Sequence, residues 1–259
     1  MLKTIARAVL VFAGLILVGS WIIVILVDGF NIMSLGDRII EQSNRDASAF
    51  VVLFSEGRPV EWAQWFCLMT SCVIAAYVGA SENLVGNTNR YSFFILMSFL
   101  FAIMVMEDAG NISLRMRSLY ESFGLDPNIG RYVRMGWYGL IGLIPTMAIV
   151  LYGRRFMEIN SMWSIFVIGF IFYFVAASAS AGVWGSYVSA GDTLNNMLFQ
   201  GRVVYESPIA GAGHWIMDYL VEETLELIGA ISFLYFTFWY YLVECLQDNP
   251  KGSHSSIGA

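Results

Sequence analysis

Long apolar runs separated by short polar stretches organise this chain. A helix needs about 20 apolar residues to cross a hydrocarbon core ~30 Å thick. Six segments meet that length: 7–27, 60–80, 91–108, 132–153, 163–187 and 214–244. The pattern predicts an all-α, integral membrane bundle of six transmembrane helices, forming one domain over residues 1–247. A polar tail at 248–259, "DNPKGSHSSIGA", is expected to be disordered. Residues 28–59, 108–131 and 188–213 are the long connections. The first contains "SLGDRIIEQSNRDASAF", an amphipathic segment expected to lie at the membrane interface.

Polar residues inside or at the edge of the runs mark the places of interest. "HWIMDYLVEETLELIGAISFLYFTFWYYLVE", residues 214–244, begins with His214, Asp218, Glu222, Glu223 and Glu226 and then becomes membrane-like. Span parity brings three such places together. Glu61 opens the second span, Glu107 and Asp108 close the third, and the quoted stretch opens the sixth. Alternating spans place these carboxylates near one membrane face, and inverting the whole topology would keep them together. His214, Asp218, Glu222 and Glu226 recur every four residues, so neighbours share a slowly drifting helix face. Glu107, Asn111 and Arg115 repeat the spacing if the third helix continues past the membrane edge. Like charges at this spacing repel, so something must offset them: Arg115, Arg117 or Arg58, a bound cation, or protonation.

Composition sharpens the class. The 259 residues are 58% hydrophobic and 13% charged, with mean hydropathy +0.65; soluble domains carry about 25% charged residues. The net charge of −6 and the lack of a polybasic run exclude nucleic acid as the expected partner. The lipid bilayer remains, with partner membrane subunits or a homo-oligomer. Cys67, Cys72 and Cys245 sit in apolar segments without CxxC spacing and read as small buried side chains. Lys3 and Arg7 precede the first run. That run is too long for a signal-peptide core and lacks a small-x-small cleavage site, so it reads as a retained anchor. With Arg154 and Arg155 against the fourth span, they favour cytoplasmic termini.

Several chemistries fall away. The only lysines are Lys3 and Lys251, so no mid-membrane lysine can hold retinal. His214 is the only histidine outside the tail, which excludes a bis-histidine haem within one chain. No GxSxG, HExxH or Walker-type motif occurs. A carboxylate-bridged metal centre draws Glu and His from several helices, usually with ExxH. Glu107, Glu222, Glu226 and His214 approximate one, but ExxH is absent.

Three readings of the carboxylates stay open. They form a cation or proton site, with a divalent metal ion as one occupant; Glu107, Asp108, His214, Asp218, Glu222 and Glu226 are its candidate ligands. Alternatively they form a structural ion-pair belt in which Arg115 and Glu61 take part, Glu61 also suiting a helix N-terminus. The third reading is a contact surface for a partner subunit. Small residues at Gly136, Gly139 and Gly142, before a kink at Pro145, and in "AASASAG" at 176–182 predict close packing of the fourth and fifth spans. A pore lined by Ser178 and Ser180 is the alternative. Trp62, Trp65, Trp137, Trp163, Trp184 and Trp215 fall at span ends, where an interfacial belt belongs.

"EGRPVEW" opening one span, an acidic pair closing the next and "EETLEL" opening the last together resemble a group of uncharacterised bacterial multipass proteins. Those proteins carry Glu-Glu and Glu-x-x-Glu signatures at span ends. The likeness covers residues 56–243 and departs at "EDAGN", where such proteins more often show two glutamates followed by Ser-Trp. It implies the six-span layout and no activity. The expected protein is therefore a six-helix bundle in a bacterial cytoplasmic membrane with a carboxylate-rich cation or proton site near the outer face. The other classes are an accessory subunit of a membrane complex and a metal-dependent membrane enzyme.

Overall fold

Lipid offers no partner for an unpaired backbone group, so a spanning chain satisfies its own hydrogen bonds within helices. The computed structural model, which describes residues 1–43, 48–84, 86–124, 127–159, 162–180, 186–203 and 211–242, is all-helical over those residues. The tail at 248–259, Cys245, Trp184 and the end of "AASASAG" lie outside them. In chain order the helices are α1 (Leu2–Val24), α2 (Leu35–Ser43), α3 (Ala49–Phe54), α4 (Pro59–Leu84), α5 (Thr88–Gly110) and α6 (Ile112–Ser122). They are followed by α7 (Pro127–Ile159), α8 (Trp163–Ser180), α9 (Tyr187–Phe199), α10 (Ala212–Trp215) and α11 (Glu223–Tyr240). A π-helical turn extends α1 over Ile25–Gly29, and another, Ile216–Glu222, joins α10 to α11.

Four helical segments are long and apolar enough to cross a membrane: Leu2–Gly29, Ala49–Leu84, Thr88–Gly110 and Met135–Tyr152. Trp163–Ser178 is apolar but shorter. The last helix carries carboxylates through its first turns, which lowers its apolar share. Two of the six expected spans therefore fall outside the length-and-apolarity test among the described residues.

α4 and α5 form an antiparallel hairpin. Its turn uses Gly86 at φ +78°, a conformation open to glycine, and the Asn87 side chain accepts the Arg90 backbone N–H at 3.4 Å. α11 packs against α1, α4 and α8, and α4 against α1, α3, α5 and α11. Aromatic rings fill the contact between α5, α8 and α11: Phe101 lies 5.3 Å from Phe233, Phe166 lies 5.2 Å from Phe236, and Phe94 lies 4.4 Å from Tyr240. Lipid tails are as apolar as these rings, so packing contacts hold the helices together more than burial from water does. Trp163 belongs to this core, buried against Phe93 and Phe166.

Close packing also differs from the expectation. Gly136, Gly139 and Gly142 on α7 have open space where a Cβ would stand. The tight crossing lies instead between α8 and α11. A Cβ on Gly169 would come 2.8 Å from Ser232 Cβ and 3.1 Å from the Gly229 carbonyl oxygen. The glycines of α7 are distributed along the helix without a facing helix close enough to use them. α7 runs through Pro145 as one helix.

Charge brackets the bundle at both ends. Glu61 and Glu82 stand 21 residues apart on α4, about 31 Å at 1.5 Å per residue, close to a hydrocarbon thickness. At the Glu82 end its carboxylate accepts from Arg90 at 3.5 Å and from the Tyr240 hydroxyl at 2.9 Å. The Arg90 guanidinium also sits 5.8 Å from the Tyr240 ring centre. The Glu61 end carries the candidate site.

Candidate functional site

Glu61, Glu107 and Asp108 are positioned by the first or last turn of a long helix, and the remaining acids and His214 by the first turn of α11 and the α10 and π-helical segments that lead into it. Glu61 sits one turn into α4, buried, and its carboxylate accepts the Gly57 backbone N–H, closing the turn that precedes the helix. Glu107 and Asp108 occupy the last turn of α5. The final helix contributes His214, Asp218, Glu222, Glu223 and Glu226. All of these line one cavity of about 290 Å³, together with Glu56, Asn111, Tyr138 and Tyr219. The π-helical turn over Ile216–Glu222 affects the alignment. A four-residue step overshoots an α-helical turn of 3.6 residues, whereas a turn closed by i→i+5 bonds is wider, so the drift is counteracted. Such turns inside α-helices occur frequently at functional sites.

Gln64, one turn deeper than Glu61 and fully buried, ties the carboxylates together. Its Nε2 donates to Asp108 Oδ2 at 2.6 Å and to Glu226 Oε2 at 2.9 Å, and lies 3.2 Å from the Tyr173 hydroxyl. An amide carries two hydrogens, so the two carboxylates take both. Tyr173 in turn donates to Asp108 Oδ2 at 2.6 Å. Trp137 donates to Glu107 at 2.7 Å, and Tyr187, at the start of α9, donates to Glu222 at 3.2 Å. Burial, then the Glu222 and Asp218 charges, push the Tyr187 phenol above its ordinary range, so it stays a donor. Gln64 Oε1, and Oε2 of Glu223 on the cavity wall, are buried without a hydrogen-bond partner.

The carboxylates are crowded. The Asp108 and Glu226 oxygens held by the same Gln64 nitrogen are at most 5.5 Å apart. Two unit charges at that distance repel by roughly 3 kcal/mol at an effective dielectric near 20. Two of the expected counter-charges, Arg115 and Arg58, make no ion pair with these carboxylates among the described residues. α5 ends at Gly110 because Asn111 adopts a left-handed conformation, φ 46° and ψ 46°, and α6 starts in a new direction. Arg115 therefore does not continue the helical repeat of α5. It is exposed and, among the described residues, makes no ion pair with the cavity. Arg58 is likewise exposed, and the side chain of Arg117 lies outside those described. Glu61 is paired to backbone rather than to an arginine.

Among the described residues, no three His, Cys, Asp or Glu side chains converge in the manner needed to hold a metal ion. The carboxylates are spread around the cavity wall, and His214 stacks edge-on with Tyr187 and Trp215. Ser178 donates its hydroxyl back to the Val175 carbonyl at 2.9 Å, as buried helix serines do; the Ser180 side chain is outside those described.

Gln64, Tyr173, Tyr138 and Tyr187 were not evident from the sequence as site residues. Gln64 left a signal, a lone amide inside the apolar "EWAQWF"; intramembrane polar groups need partners. Tyr173 left none, being one aromatic among several in "IFYFV".

No protein-family model matches the chain, and neither a curated protein nor a solved structure gives a significant match.

Proposed function

We propose that the protein is a six-span protein of the bacterial cytoplasmic membrane, both termini cytoplasmic, whose outer-end cavity binds a cation or a proton, in transport or within a membrane assembly. One observation carries this reading. Asp108 and Glu226 share a single buried amide nitrogen, and the unpartnered Glu223 Oε2 adds a third carboxylate, with no guanidinium paired to any of the three among the described residues. Ionisable groups in such positions face cavities and mark ion or proton paths. The six-span count adds α8 and the last helix to the four longer segments, since both pack in the aromatic core. α2 then lies along the interface.

The test is the melting temperature of the purified chain in detergent, titrated with protons, Na⁺, Ca²⁺ and tetramethylammonium. At least one should stabilise the parent in a saturating manner, and Glu226→Gln should abolish that response. Equal responses of parent and variant to every cation and to pH would refute the site.

A second reading is favoured by α7. Its unfilled glycine face, Gly136–Gly139–Gly142, has the small residues that let a membrane helix approach closely. An accessory subunit would bury it against another chain. Mass measurement of the native complex, with Gly139→Leu as control, tests this; a variant that assembles like the parent rules it out.

A further inference from the structure

The carboxylate cavity does not end at its polar wall. Glu107, Asp108, Tyr138 and Glu226 also line a second space, an apolar cleft of about 60 Å³ between α5, α7, α8 and α11. Its walls beyond the carboxylates include Phe170, Tyr173, Phe174 and Phe233. The two spaces form one amphipathic site: carboxylates on one side, aromatic faces on the other, and a common boundary of four residues.

The dimensions and donor set separate the possible occupants. A bare divalent ion needs several oxygens at 2.0–2.6 Å, and no three acidic, histidine or cysteine side chains converge that way among the described residues. The polar cavity alone approaches the ~300–1,000 Å³ of small-molecule sites. Carboxylates beside aromatic faces are what organic ammonium ions seek, through charge and through the ring quadrupole. A phospholipid headgroup would also bring a phosphate, and no Lys or Arg among the described residues lines either space.

We infer that this site takes a free organic cation, an ammonium group held among Asp108, Glu223 and Glu226 with a small apolar or aromatic body in the cleft between α7 and α8. The inference rests on the cation-site reading and specifies its ligand. Two features supply what a set of acids alone lacks: the fully buried Gln64 with its unpartnered Oε1 beside Asp108 and Glu226, and the buried, unpartnered Glu223 Oε2 on the cavity wall. An ammonium carries donors or diffuse positive charge that the Glu223 oxygen on the cavity wall can meet.

Tetramethylammonium and benzyltrimethylammonium share a charge and differ by an aromatic ring, so the pair isolates the cleft. Binding of each to the full chain in detergent is measured by calorimetry and by melting temperature, with benzyl alcohol as the uncharged control. Benzyltrimethylammonium should bind about tenfold more tightly than tetramethylammonium, and benzyl alcohol should not stabilise. Glu226→Gln should weaken both cations, and Gly142→Leu, which fills the cleft, should remove the tenfold preference. Equal affinity of the two cations in the parent, or a preference that survives Gly142→Leu, overturns the inference while the response to protons or Na⁺ keeps the site itself. If no cation and no pH change gives a Glu226-dependent response, the underlying site reading fails instead. Displacement by dihexanoyl-phosphatidylcholine as effective as by benzyltrimethylammonium would overturn the assignment of a free cation.

Discussion

Replacing Gln64 by Leu removes one side chain of similar size and two hydrogen bonds to carboxylates. The amide is fully buried and donates to Asp108 at 2.6 Å and Glu226 at 2.9 Å. Hydrogen bonds to charged groups contribute about 1.5–3 kcal/mol each, so the gross loss is about 3–6 kcal/mol. Against this, Leu abolishes the unpartnered Oε1, whose burial costs about 1–3 kcal/mol. A net destabilisation of about 2–3 kcal/mol follows. Unfolding in mixed micelles, followed by tryptophan fluorescence, measures it. A double-mutant cycle with Glu226→Gln separates the bridge from packing, because contacting residues couple by about 0.5–3 kcal/mol. If Gln64→Leu costs under about 0.5 kcal/mol and the cycle shows no coupling, the amide does not hold the carboxylates, and the geometry of the site is wrong at its centre.

Three further outcomes are expected. Gly169→Ala should cost about 1–3 kcal/mol by overpacking the α8–α11 crossing, whereas Gly139→Leu should leave the melting temperature of the isolated chain unchanged; the reverse ranking would return the tight contact to α7. Arg115→Ala should change stability by less than about 0.5 kcal/mol, as for other exposed positions, and a larger loss in the same unfolding assay would restore it as the counter-charge of the site. Reporter fusions at residue 120 should read periplasmic and at residue 157 cytoplasmic, and the opposite pattern would invert the proposed orientation.

The helical class, the positions of most long helices and the meeting of Glu61, Glu107, Asp108 and the 214–226 stretch at one end follow from one-dimensional facts. For a chain that spans a membrane, lipid enforces helices, helix length is tied to bilayer thickness, and on the proposed six-span layout alternating spans return the chain to the same face. None of these depends on which helix touches which. What the tertiary structure decided depends on rotation about each helix axis and on the choice of neighbour. "EDAGNISLR" reads as a continuous four-residue repeat, but Asn111 turns left-handed and Arg115 does not continue the helical repeat of α5. Glycines occur on α7, α8 and α11 alike, and among the described residues of these three helices it is Gly169 and Gly229 that meet across a crossing. Small residues permit close approach without selecting a partner, so the pairing is set by the aromatic rings around them. Gln64 and Tyr173, 109 residues apart, become site residues because α4, α5, α8 and α11 converge there. A polar side chain states in the sequence that it needs a partner, and only the packed bundle supplies which one.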